Sequence, residues 1–474
     1  MVKGVRRTFQ LLLCFLSIQL LGQEIVWKQR LGMLKESDDF NPWVALSIPN
    51  DALNQLEIYF LNGKKGKRVV LSEDYQQLES SMDSFLVSYR YDEFLGYVAN
   101  ESESVLFFHD KKARAIHYLQ FLNDDQQVSS GTVNDIELTE EVLLGAFESM
   151  GKFYLLTVPK RTSVIKSYAF LNKNLLRATE YDFSGIKLGD RFPDLQAAFQ
   201  FDQIGVIGSD EMSLGVIKTN KGAYLKDCFE PFKIYPRDEE VLITLDHDFG
   251  NTVLLRIFLN SRFSEVEYYS HEMNPDFGLG FNSYITDDHI FQVMASGREL
   301  NLTVKNLKTK EKLVHLTAYK NEDWWIGNSP YYQSRYDDLF DVDRSEIHKS
   351  KDILKELARY ELGLKVEKGE NYSITIGGYD TVKKVTPLSA MDIGNMYLTK
   401  TVNNLIGKAG YFKTILSNSF EHTGDKVSEQ VEFERLDTAL KPESRIEFTQ
   451  NWKGKFLYGF FDSSSEDYQL LKFN

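Results

Sequence analysis

Cysteine is almost absent from this chain, which has only Cys14 and Cys228. Cys14 lies within residues 1–22, where a basic start precedes an apolar stretch too short to span a membrane. That pattern predicts a signal peptide cleaved after Gly22. Cleavage would leave Cys228 alone, so the mature chain could form no intrachain disulfide. A large hydrophobic core must therefore stabilise the fold.

Positive charge is also scarce, and no second apolar run is long enough to cross a membrane. The chain carries 55 Lys and Arg against 69 Asp and Glu, a net charge of −14. Removal of Lys3, Arg6 and Arg7 with the signal peptide would make the mature charge −14 − 3 = −17. This balance excludes nucleic acid as the main partner, because phosphate binding needs a basic surface. It also excludes electrostatic anchoring on anionic lipid.

Linear signatures of catalysis are missing as well. The chain contains no His-Glu-x-x-His, no Gly-x-Ser-x-Gly, no phosphate loop and no Cys-x-x-Cys, and its 8 His residues lack metal-site spacing. These absences do not exclude an enzyme, because catalytic carboxylate pairs on β scaffolds have no linear motif.

What the chain does contain is a recurring phrase, Phe-Leu-Asn, which ends an apolar run and is followed by polar turn residues. Its four copies are Phe60-Leu61-Asn62, Phe121-Leu122-Asn123, Phe170-Leu171-Asn172 and Phe258-Leu259-Asn260. Two copies align over a longer stretch, since Gly96 and Gly145, Ile116 and Ile165, and Asn123 and Asn172 are all 49 residues apart. A fixed period of this size predicts a repeated strand-turn unit.

A glycine between apolar residues recurs near the start of each unit. The copies are Leu95-Gly96-Tyr97, Leu144-Gly145-Ala146, Leu214-Gly215-Val216, Leu279-Gly280-Phe281 and Tyr458-Gly459-Phe460. Glycine within a strand often marks a bulge or a close approach of another backbone, which the crowded inner strands of a propeller require. Three or four short strands per unit, with continuous apolar centres, match the blade of a β-propeller.

The sequence therefore predicts an all-β, propeller-like repeat body of six to eight blades, with tandem β-sandwich domains as the alternative. We expect the body to occupy residues 23–319 and 371–474. Residues 320–370 break the rhythm with an aromatic and acidic half followed by a helical half, so they predict an insertion. Insertions into repeat bodies usually lie on one face, often the binding face.

Two groups of residues are candidate sites. Trp324, Trp325, Tyr331 and Tyr332 could form a stacking platform for a sugar ring or a peptide, although aromatic residues equally anchor a segment by burial. Asp246 and Asp248, followed by a glycine, could present oxygens to a structural calcium ion, although Asp-Gly-Asn is also ordinary turn chemistry. We expect no other cofactor.

These patterns favour a non-catalytic binding or scaffold protein of a bacterial cell envelope, exported to the periplasm, the outer membrane or the cell surface. Its partner, a protein or a glycan, would bind at the insertion or at a propeller rim. The alternative is a carbohydrate-active hydrolase or lyase on the same scaffold, which would place converging carboxylates in a central pocket.

Overall fold

The computed structural model describes residues 23–31, 34, 43–62, 66–83, 93–123, 128–188, 192–199, 214–217, 225–248, 250–271, 280–337, 341–359, 361–385, 402–424, 446, 448–462 and 464–473. The predicted signal peptide lies outside the described residues and stays a prediction. Strands dominate the described part of the chain, as the alternating and continuous apolar runs predict.

Four of the sheets contain four antiparallel strands each, which follow one another in chain order. Sheet 1 has β2 (Val44–Asn50), β3 (Gln55–Leu61), β4 (Gly66–Leu71) and β5 (Gln77–Asp83); sheet 2 has β6 (Glu93–Ala99), β7 (Glu103–Asp110), β8 (Ala115–Leu122) and β9 (Val128–Thr132); sheet 3 has β10 (Glu141–Ser149), β11 (Lys152–Pro159), β12 (Val164–Phe170) and β13 (Leu175–Asp182); sheet 5 has β19 (Gly280–Ile285), β20 (His289–Ala295), β21 (Glu299–Asn306) and β22 (Lys312–Tyr319).

Sheets 4 and 6 have five strands. Sheet 4 contains β14 (Gly215–Val216), β15 (Phe232–Pro236), β16 (Glu240–Asp248), β17 (Asn251–Phe258) and β18 (Ser264–Ser270), and β14 runs parallel to β15. Sheet 6 contains β23 (Tyr331–Asp337), β24 (Asp341–Ile347), β25 (Glu361–Lys368), β26 (Tyr372–Val385) and β27 (Val402–Leu416). Its spatial order is β24-β23-β27-β26-β25. The chain thus enters this sheet at β23, beside one edge, and leaves it from the central strand β27.

The seventh sheet joins the two ends of the described chain. It consists of β28 (Phe448–Trp452), β29 (Lys455–Asp462), β30 (Asp467–Phe473) and the first described strand, β1 (Gln23–Arg30). β1 pairs antiparallel with β30 along its whole length and buries Trp27. The Lys28 ammonium lies 2.8 Å from the Asp467 carboxylate. The final strands thus close against the first, as expected for a propeller.

From sheet 7 through sheet 1 to sheet 6, consecutive sheets pack against one another through pairs of strands and through buried apolar side chains. β28 contacts β2, β2 contacts β6, β6 contacts β10, β10 contacts β15, and β19 contacts β25. Shared clusters join sheet 7 to 1, 1 to 2, 2 to 3 and 3 to 4, and one cluster spans sheets 4, 5 and 6. The described chain is therefore an all-β, propeller-like body of seven sheets, within the predicted range, rather than a series of sandwiches.

Three short helices interrupt the strands of the described chain: α1 (Leu195–Phe199), α2 (Leu225–Phe229) and α3 (Ser350–Leu357). α2 contacts both β14 of sheet 4 and β25 of sheet 6. It buries Cys228 completely, and burial raises the pKa of this thiol to about 12. The ring of Phe229 lies where a Cβ on Gly363 would be, only 2.0 Å away, so α2 packs directly on the backbone of sheet 6.

Two of the recurring glycines, Gly96 and Gly145, lie where neighbouring sheets meet. A Cβ on Gly96 of β6 would lie 2.7 Å from the ring of Phe153 in sheet 3, and one on Gly145 of β10 would lie 2.7 Å from Ile234 in sheet 4. Both glycines also follow a bulge in their strands. The predicted bulge is thus present at both positions, and the group that approaches the glycine closely is a side chain of the next sheet rather than a backbone.

The Phe-Leu-Asn copies are only partly equivalent. The copies at Phe121, Phe170 and Phe258 lie at the end of β8, β12 and β17, each the last strand but one of its sheet. The copy at Phe60 ends β3, a second strand. The 49-residue spacing therefore separates equivalent positions of two sheets. The spacing between the first two copies separates positions that are not equivalent.

Residues 320–370 contribute to a sheet of the body. They supply β23 and β24 at one edge of sheet 6, then α3, then β25 at the other edge. The helical half of the range is short: α3 buries Ile353, Leu354 and Leu357 in the cluster shared by sheets 4, 5 and 6. The longest described stretch of this range outside regular structure is the loop from residue 320 to residue 330.

Candidate functional site

The loop of residues 323–330 joins sheet 5 to sheet 6. Hydrogen bonds hold it against β27, the central strand of sheet 6. Asn328 provides most of these contacts. Its side-chain amide donates to the carbonyl of Thr423 at 2.7 Å, and its side-chain oxygen accepts from the backbone N–H of Ile415 at 2.7 Å. Its own backbone N–H donates to the carbonyl of Lys413 at 2.8 Å. One asparagine thus holds the loop to β27 and to the segment that follows it.

A second fastening point is the carbonyl of Ile326. It accepts from the Thr414 hydroxyl at 2.5 Å and from Nε2 of His422 at 3.1 Å. Ile326 is itself fully buried. Hydrogen bonds on both sides of an apolar anchor give the loop a defined conformation, because its buried polar groups have partners.

The two adjacent tryptophans have different environments. Trp324 is half-buried, and its ring lies 5.0 Å from that of Phe412 at 78°. Trp325 is 41% exposed, and its ring lies 5.6 Å from the ring of His422 at 84°. Gly327 lets the loop fold over Trp324, since a Cβ there would lie 2.5 Å from its Nε1. Trp324 anchors the loop, and Trp325 is presented at the surface.

The two tyrosines of the predicted platform are buried in β23. Tyr331 is 0% and Tyr332 is 5% exposed, and the Tyr332 ring lies 5.9 Å from that of Tyr411. Neither offers a face to solvent. Of the four aromatic residues selected from the sequence, the structure leaves Trp325 as the exposed one.

A second aromatic group, which the sequence did not single out, lies nearby in sheets 5 and 6. The rings of Tyr372 and Phe420 stack with centroids 5.2 Å apart, and His289 lies 4.9 Å from Phe420. Burial lowers the pKa of His289. Phe420 adopts a left-handed conformation, φ 63°, which costs a side chain with a Cβ about 1 kcal/mol. These residues are distant in sequence, so no linear pattern could have joined them.

The two predicted calcium ligands are Asp246 and Asp248, and the structure describes the side chain of Asp246 alone. Asp246 is fully buried at the interface of sheets 4 and 5, and its oxygens are occupied by protein donors. The Thr252 hydroxyl donates to one oxygen at 2.7 Å, and the backbone N–H and hydroxyl of Ser283 donate to the other, both at 2.7 Å. The side chain of Asp248 lies outside the described residues. The calcium site stays a prediction.

Asp246 has a cationic neighbour, Lys233, which is also 0% exposed. The Lys233 ammonium lies 3.8 Å from Asp246 and donates to the side-chain oxygen of Asn282 at 2.7 Å. Burial lowers the pKa of Lys233 to about 8, and the attraction of Asp246 only partly opposes that effect. The group is a buried ion pair that joins two sheets.

A comparable group joins sheets 1 and 2. Glu57 is fully buried and accepts from Asn50 at 3.0 Å, from Ser104 at 2.9 Å, from the hydroxyl of Tyr59 and from Nε of Arg68 at 3.1 Å. Among the side chains that the structure describes, no group of three or more His, Cys, Asp or Glu is arranged to hold a metal ion. The buried charges thus serve the packing of sheets.

No helix in the described residues is long and apolar enough to span a membrane. No protein-family model matches the chain, and no curated protein sequence matches it.

Among solved structures, the chain is similar to Hsv2 of Kluyveromyces lactis at 8% identity and a TM-score of 0.30, over 91% of this chain and 97% of that one. A cobalt-substituted ACO from Synechocystis matches at 7% identity and a TM-score of 0.30, over 65% of each chain. A prolyl endopeptidase structure matches at 7% identity and a TM-score of 0.33, over 89% of this chain and 46% of that one. Similarity this remote carries no argument about function, and the fold rests on the sheets described above.

Proposed function

We propose that the chain is an exported, non-catalytic binding or scaffold protein of a bacterial cell envelope, and that its contact surface is the loop that presents Trp325. One observation carries this proposal. An indole that is 41% exposed is held on a loop whose backbone is fastened to β27. A large aromatic side chain on a fixed support binds with little loss of conformational entropy, which is the property of an interface anchor.

The other exposed apolar side chains of the described chain do not lie on a long connecting loop of this kind. Leu176 and Leu313 lie on edge strands, and Phe263 lies in a turn between β17 and β18. Single exposed apolar residues of that kind are normal on protein surfaces. Trp325 differs because two separate groups of hydrogen bonds position it.

The enzyme alternative draws less support from the geometry. General acids need a raised carboxyl pKa. In Glu93, Asp182, Asp462 and Asp467 the pKa is instead lowered, by hydrogen bonds from His109, Ser184, Ser464 and Lys28 respectively.

The test measures binding and turnover together. Purified protein is incubated with an envelope fraction and with a panel of envelope polysaccharides, and retention and released sugars are recorded. We expect saturable retention without sugar release, and a loss of retention in Trp325→Ala. Phe263→Ala, with its similar exposure of 55%, is the matched control and should bind like the wild type. Sugar release by the wild type would replace the proposal with the enzyme alternative.

A further inference from the structure

We propose that the surface around Trp325 binds a cationic side chain, an arginine or a lysine, on an extended segment of a protein partner. This inference rests on the proposed function, since it names the class of partner for the same surface. Two features of the described residues point to a cation: an exposed indole, and exposed carboxylates without ion pairs in the two chain segments that meet at that indole.

The indole supplies the first attraction. Tryptophan has the strongest cation–π interaction of the aromatic side chains, and arginine stacks on it readily. The face of Trp325 is held in place because its loop is anchored by Asn328 and Ile326. A cation that settles on this ring therefore meets a surface that is already ordered.

The carboxylates supply the second attraction. Glu322 and Asp323 directly precede the Trp324-Trp325 pair, and Glu421 directly precedes His422, whose ring contacts the indole of Trp325. All three are exposed. None of the three forms an ion pair with any residue that the structure describes, whereas many exposed acids elsewhere are paired, such as Glu24 with Lys472 at 2.7 Å. They are available to an external cation.

The net charge of the chain agrees with this assignment. The chain as a whole carries −14. A partner that brings positive charge is attracted at long range and at contact, whereas a phosphorylated or acidic glycan is repelled.

The experiment uses probes of defined chemistry. A short glycine peptide with two arginines, the same peptide with two glutamines, and a neutral oligosaccharide are titrated against the mature protein by calorimetry at low and at physiological ionic strength. We expect the arginine peptide to bind, and to bind less tightly as salt increases, because the contact is partly electrostatic. The glutamine peptide should not bind measurably.

Substitutions then separate the two attractions. Trp325→Ala should weaken binding of the arginine peptide by about 2- to 30-fold. Neutralising the acids together, with Glu322→Gln, Asp323→Asn and Glu421→Gln, should weaken it by about 10-fold. The matched control neutralises three exposed acids elsewhere, Asp135→Asn, Glu137→Gln and Glu140→Gln, and changes the net charge by the same amount. It should alter binding by less than about 2-fold.

The outcomes distinguish this inference from the proposed function. If the oligosaccharide binds and Trp325→Ala abolishes that binding, while the arginine peptide does not bind, the surface is a glycan site and the cation assignment is overturned. If the peptide binds wild type and Trp325→Ala equally, the inference also fails. If no probe binds and Trp325→Ala retains envelope binding, both the inference and the proposed function fail.

Discussion

Replacement of Lys233 should change how stability depends on pH. Its pKa falls from the ordinary 10.5 to about 8 in the folded chain, because the ammonium is fully buried between sheets 4 and 5. Between these two pH values the unfolded chain binds a proton that the folded chain has released, so stability rises with pH. Each pH unit in this interval is worth about 1.4 kcal/mol, which amounts to about 3 kcal/mol over the whole interval.

Other groups oppose this trend, so the comparison must be between variants. Cys228, with a pKa raised to about 12, and buried tyrosines such as Tyr235 retain protons that the unfolded chain loses above about pH 9, which lowers stability as pH rises. The reference is therefore the double variant Lys233→Met with Asp246→Asn, which keeps these groups and removes the ion pair. Its difference from wild type isolates the lysine.

The assay is urea unfolding of both proteins from pH 7 to pH 9.5. We expect wild type to gain about 2 kcal/mol relative to the double variant between pH 8 and pH 9.5. Below pH 7.5 the difference should be constant, because Lys233 is then protonated in both states. Parallel curves over the whole range would refute the burial of this charge and, with it, the packing of sheet 4 on sheet 5.

Two further predictions concern the packing of other sheets. Glu57→Ala should lower the free energy of unfolding by about 3–5 kcal/mol, because it leaves a buried arginine unpaired; the exposed Glu73→Ala is the control and should cost less than about 0.5 kcal/mol. A similar small loss for both would contradict the buried network. Gly363→Ala should cost about 1–3 kcal/mol, since the new methyl group meets the ring of Phe229. Gly424→Ala, which has open space around it, should be neutral, and equal thermal shifts for the two glycines would contradict the position of α2.

The repeat was readable from the sequence because it is local. Gly96 and Gly145 recur at 49 residues since each lies in the first strand of its sheet and receives a side chain of the next sheet. Copies of the phrase at Phe121 and Phe170 share that register. The copy at Phe60 does not, because an apolar run before a turn can end a second strand as well as a third.

The candidate site was only partly predictable, because burial in sheet 6 depends on strand order. Tyr331 and Tyr332 follow the tryptophans closely in sequence, but β23 is enclosed between β24, which comes next in the chain, and β27, which comes from far along the chain. The pattern of residues 320–370 therefore predicts an insertion, whereas the structure places strands of this range at both edges of sheet 6. The position of Trp325 depends on the hydrogen bonds that Asn328 makes with β27 and on the contact between the indole and His422. No local sequence pattern encodes either of them.

Hydrogen exchange measured by mass spectrometry, with and without a saturating envelope fraction, tests the central claim most directly. The account predicts added protection confined to peptides that cover residues 319–330 and 417–424, and its loss in Trp325→Ala. Peptides that cover β20 and β21 should exchange at unchanged rates. Protection at α2 and the inner strands of sheets 4 and 6, with none at the Trp325 loop, would contradict the account.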